Sequence, residues 1–121
     1  YWTTKYRLEA LTHLQILIEA TMLPETFAQV KQPVFMGYYY KNDDEQDTVV
    51  SVDALLEMYD QLGTEEGEKV KVAFPNAGDH VIGSPMTSAA VDEVRQATIS
   101  FFEEVLQLQA VEKIEPAIAL N

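Results

Sequence analysis

Apolar residues recur along this chain with two spacings, and the switches between them mark out its elements. From Leu8 onward, Leu8, Leu11, Leu14 or Gln15, Ile18 and Met22 follow one another three or four positions apart, with Leu17 widening the stripe. That period predicts a helix over 1–22, capped by Thr3 or Thr4 and stopped by Pro24, which disfavours helical geometry at Leu23. Residues 23–32 read as a connection with one helical turn within 25–30. Pro33 then opens the run Val34–Tyr40, rich in β-branched and aromatic residues and poor in polar ones, as expected of a strand covered on both faces. Its three consecutive tyrosines read as strand residues whose hydroxyls find partners near the sheet edge. The stripe Val52, Leu55, Leu56, Tyr59 and Leu62 predicts a second helix, with Ser51 as its N-cap and Gly63 just past its end. After a charged loop over 64–69, Val70–Phe74 reads as a second buried strand, interrupted only by Lys71. A long helix starting at Ser84 or Ser88 and running to Leu108 completes the pattern, on the stripe Val91, Val94, Thr98, Phe101 or Phe102, and Val105.

The order helix, strand, helix, strand, helix defines an α/β chain with parallel strands joined by a helical crossover. Two strands alone make a poor sheet and leave apolar edges open. The expectation is therefore a part of a larger sheet, or a sheet completed by oligomerisation. The expected domain segment spans residues 1–110, and 111–121, which contain Pro116, form a tail without assignable structure.

Composition narrows the function more than the fold. The 121 residues suffice for one domain. Eight Lys and Arg against 20 Asp and Glu give a formal charge of −12, which argues against nucleic acid and anionic membranes as partners. There is no cysteine, hence no disulfide framework, thiolate nucleophile or cysteine zinc site. No apolar stretch approaches the ~20 residues of a membrane span. The compartment is not legible, because the chain starts at Tyr1 rather than at a methionine and any leader would precede it.

Candidate chemistry lies in the two loops that follow the strands. Phe74-Pro75-Asn76-Ala77-Gly78-Asp79-His80 ends the second strand in a tight turn that presents one of only two histidines. Asn42-Asp43-Asp44-Glu45-Gln46-Asp47 follows the first strand in the same way. In an open parallel sheet both loops emerge at the same edge, the usual place for ligands. Together they supply an acid and a base. Asp47 is the preferred acid, Asp43 and Asp44 are alternatives, and Asp79 ranks last because chain neighbours in an extended loop point apart. His80 is the base. His13, on the first helix among polar neighbours, reads as a surface histidine. The acid cluster also invites a divalent metal, but it lacks the glycine-bearing ligand spacing of a calcium loop, and a solvated acidic loop is the simpler account.

These motifs resemble the C-terminal part of an α/β-hydrolase. The likeness lies in Pro33-Val34-Phe35-Met36-Gly37, Asp47-Thr48-Val49-Val50-Ser51 and Pro75-Asn76-Ala77-Gly78-Asp79-His80, and it covers roughly residues 30–108. It implies a partial three-layer α/β-hydrolase sheet, Asp47 as the triad acid and His80 as the triad base. The implied reaction is hydrolysis of a small-molecule ester, thioester or amide through an acyl-enzyme, with no cofactor. One part is missing. No Gly-x-Ser-x-Gly elbow and no glycine-rich oxyanion loop occur, and Ser84 follows the histidine where the family order requires the nucleophile to precede the acid.

The expectation is a C-terminal fragment whose nucleophile and first strands lie upstream of Tyr1. Such a fragment is inactive alone and pairs with the missing half or with itself. The alternative is a non-catalytic α/β interaction module that oligomerises through its sheet edges. The acyl specificity is not readable, since its pockets would belong largely to the missing part.

Overall fold

The computed structural model describes residues 5–111. The expected caps at Thr3 and Thr4, and the tail after Val111, lie outside them. In chain order the elements are α1 (Leu8–Thr21), α2 (Pro24–Phe27), β1 (Val34–Tyr38), β2 (Tyr40–Asn42), β3 (Glu45–Gln46), α3 (Val52–Gln61), a 3-10 turn (Glu66–Glu68), β4 (Lys69–Ala73) and α4 (Val91–Glu104). The architecture is mixed α/β around a two-stranded parallel sheet. β1 and β4 pair in register from Val34 with Lys69 to Tyr38 with Ala73. Strands in this relation require a crossover, and residues 39–68 supply it, with α3 as its helix.

Residues sharing a register position share a face of the sheet. On one face Phe35 meets Phe101 of α4 at 5.7 Å between ring centroids, and Val72 packs on the buried cluster of Phe74, Ala77 and Ala90 together with Ile82, Val94 and Ala97. Of the two candidates on the last helix, Phe101 is the buried one and Phe102 is exposed. On the other face lie Met36, Lys69 and Lys71, where both lysine ammonium groups stand within 5.0 Å of the Tyr59 ring centroid of α3. Lys69 is buried, and its ammonium is neutralised by Glu66 at 2.8 Å.

The differences from the sequence reading are local and have local causes. The first strand ends at Tyr38 instead of continuing through Tyr40, and the acid loop is itself a hairpin of β2 and β3. Asn42 makes that turn: its Oδ1 accepts from the Asp44 and Glu45 N–H groups at 3.0 and 2.9 Å, the Asx geometry that reverses a chain. The last helix starts at Val91, because residues 84–88 fold into successive turns, with Thr87 and Ser88 donating to the Ser84 carbonyl. Ser51 caps α3 by accepting from Ala54 N–H at 3.2 Å. Gly63 has a different role from the one expected. The chain leaves α3 in extended geometry, and a Cβ at Gly63 would collide with the Ala28 carbonyl and the Lys31 ammonium. It is a site of close approach between backbones, tied by a hydrogen bond from its N–H to the Phe27 carbonyl.

Candidate active site

Asp47 follows β3 directly, and its N–H donates to the Tyr39 carbonyl at 3.1 Å, which anchors the far side of the hairpin to the end of β1. Its side chain turns inward and is only 4% exposed. Both carboxylate oxygens are used. Oδ1 accepts from the Val49 and Val50 N–H groups at 2.8 and 3.0 Å, and Oδ2 lies 2.6 Å from His80 Nδ1. Burial pushes this carboxyl up, but the His80 hydrogen bond, the two backbone amides and the imidazole charge outweigh it, so Asp47 sits below its ordinary value and stays ionised.

The histidine loop is shaped from within. The Phe74 carbonyl accepts from Ala77 N–H at 3.1 Å, and Gly78 takes a left-handed conformation with φ of 72°. Asp79 Oδ1 accepts from Val81 N–H at 2.8 Å. That bond turns the Asp79 carboxylate into its own loop and leaves His80 to Asp47. Two other acids of the hairpin are also engaged: Asp43 accepts from the Tyr40 hydroxyl at 2.9 Å, and Glu45 pairs with Lys41 at 2.8 Å. Of the four aspartates considered from the sequence, Asp47 alone meets His80, across a separation of 33 residues.

The tautomer follows from the partner. An ionised carboxylate only accepts, so the shared proton resides on Nδ1, and whenever the ring is neutral its lone pair is on Nε2. Nε2 hydrogen-bonds to no described residue, and the His80 side chain is 42% exposed. It lines a groove of about 360 Å³ with Tyr39, Thr48, Val49, Gly78 and Val81, and with Asp44 and Glu45 among its polar lining. No described hydroxyl is hydrogen-bonded to His80. Ser84 accepts from Met86 N–H, Ser88 accepts from Ala90 N–H, and Thr87 donates to the Val81 carbonyl. Among the described residues no group of three or more His, Asp or Glu is placed to hold a metal ion, and no helix is long and apolar enough to cross a membrane.

The sequence reading missed the supports of the acid. The Val49 and Val50 amides and the Tyr39 carbonyl hold Asp47 in place through main-chain atoms, which leave no side-chain signature. A signal existed for the first pair: an Asp two and three positions ahead of residues entering a helix is the spacing of an Asx turn.

No protein-family model matches this chain, and no curated protein or solved structure matches it.

Proposed function

We propose that this chain carries the acid and the base of an α/β-hydrolase-type serine triad, with Asp47 as the acid and His80 as the base. The observation that carries the reading is the 2.6 Å contact between Asp47 Oδ2 and His80 Nδ1, made by a buried, three-fold hydrogen-bonded carboxylate to an imidazole whose other nitrogen has no partner among the described residues. The nucleophilic serine and the oxyanion donors come from polypeptide outside the described residues. In the reaction, Nε2 takes the serine hydroxyl proton as the oxygen bonds to the carbonyl carbon of an ester, thioester or amide. Asp47 holds the imidazolium formed, and Nε2 returns that proton to the leaving group as the acyl-enzyme appears. Water, deprotonated by the same nitrogen, then bonds to the acyl carbon, and the proton passes to the serine oxygen as its bond to the acyl group breaks and the acid product leaves. The chain by itself has no turnover on this reading.

The test is to express the whole reading frame and label it with a fluorophosphonate, which reacts only with an activated serine. His80→Ala lowers turnover by about 10⁴-fold or more, the scale of losing a triad base. Labelling and turnover that survive this change would sink the assignment.

A further inference from the structure

Each strand of the parallel sheet has an outer edge, and the two edges differ. In a parallel pair, alternate residues turn both main-chain groups toward the partner, and the residues between them turn both away. Phe74 N–H donates to the Tyr38 carbonyl at 2.8 Å, and Tyr38 is paired with Ala73, which fixes the alternation. Val34, Met36 and Tyr38 of β1 therefore face β4, and the N–H and C=O groups of Phe35 and Gly37 point outward. On β4, Val70 and Val72 face β1, while Lys69, Lys71 and Ala73 turn their main-chain groups outward. None of these outward groups has a hydrogen-bond partner among the described residues.

An edge left to water is guarded by charge, lysine above all. β4 is guarded in this way: it carries Lys69 and the 40% exposed Lys71, and Glu65, Glu66 and Glu68 precede it. β1 is bare. No charged residue lies between Lys31 and Lys41, and no proline lies within Val34–Tyr38. Both of its faces are occupied, since Phe35 meets Phe101 and Met36 is buried. A strand packed on both faces, with an uncharged and unpaired edge, is an interior strand that lacks its neighbour. The same edge leads to the candidate site. β1 runs into Tyr39, whose carbonyl accepts from the Asp47 N–H and which lines the groove beside His80. A strand hydrogen-bonded to β1 lies about 4.8 Å from it, with one of its ends beside that groove.

We propose that the outer edge of β1 is filled, through Phe35 and Gly37, by a strand from the polypeptide outside the described residues, and that β4 is a true edge of the completed sheet. The choice of occupant rests on the triad reading, which takes the nucleophile from that same polypeptide; the open edge itself does not.

Amide hydrogen exchange in the product of the whole reading frame tests it. The Phe35 and Gly37 amides are expected to exchange at least about 100-fold more slowly than those of Lys71 and Ala73, at every protein concentration. Paired variants read the same edge. Phe35→Pro, which removes an outward N–H, is expected to melt roughly 6 °C or more below Phe35→Ala, which keeps it. Lys71→Pro is expected to melt with Lys71→Ala. Equal exchange on the two edges overturns the proposal. So does protection of Phe35 and Gly37 that appears only as the mass doubles, which gives the edge to a second copy. Slow exchange without fluorophosphonate labelling keeps the strand and removes the triad; labelling with equal exchange does the reverse.

Discussion

The Asp47–His80 site and helix α1 lie at opposite extremes of how a side chain can be used. At the site, three hydrogen bonds converge on one carboxylate, while Asp79 and Asp43 are held by bonds of their own. Along α1, a row of large apolar side chains touches solvent. The site is assembled from loops, and α1 from a strongly helical sequence. Regular structure and burial are therefore separate outcomes. A hydrophobic period fixes the helix, but only a facing surface fixes its contribution to stability.

This contrast predicts a gradient of effects. Gly63→Ala is the most severe change, because the new methyl meets a backbone carbonyl that cannot rotate away; a loss of about 3 kcal/mol or more in urea melts is expected, at the upper end for overpacking. Asp47→Ala comes next, at about 2–3 kcal/mol, since it leaves the Val49 and Val50 amides and the imidazole without their acceptor. A loss under about 0.5 kcal/mol would place Asp47 in the class of ordinary surface residues and remove the contrast. His80→Ala costs about 1 kcal/mol, because Asp47 keeps both amide donors. Leu14→Ser with Leu17→Ser, measured at a dilution where copies are apart, changes the melt by no more than about 0.5 kcal/mol. A larger effect would show that α1 packs on the body of the chain.

Acidity sharpens the same comparison. The folded carboxyl of Asp47 lies below its ordinary value, so the unfolded chain binds its proton more readily than the folded one does. The resulting stabilisation is fully present above the ordinary carboxylate range and is lost as pH falls through that range to the lowered folded value. In Asp47→Asn this component disappears, and the acid limb of a stability–pH curve becomes shallower than in the wild type. Equal slopes would assign the acid sensitivity to other carboxylates.

How much of this was legible beforehand depended on which atoms carry the structure. The parallel pair β1 and β4, helix α3 with its Ser51 cap, and the meeting of Asp47 with His80 rest on side-chain type and spacing, and the sequence displays both. The hairpin at Asn42 was hidden because its acidic turn residues resemble any solvated loop. The late start of α4 was hidden because Ser84 and Ser88 are equally suited to helix caps and to the turns they form. The purpose of Gly63 depends on a backbone more than 30 positions away in the chain, beyond the reach of local pattern.

The two oxygens of Asp47 serve different masters, one the histidine and the other the chain entering α3. Under relaxed selection the pair would therefore not decay evenly. Replacing His80 costs the fold less than replacing Asp47, which unpins the approach to α3. On the proposed triad reading, descendants that lost turnover should lose the histidine first, leaving the aspartate as the relic of the pair.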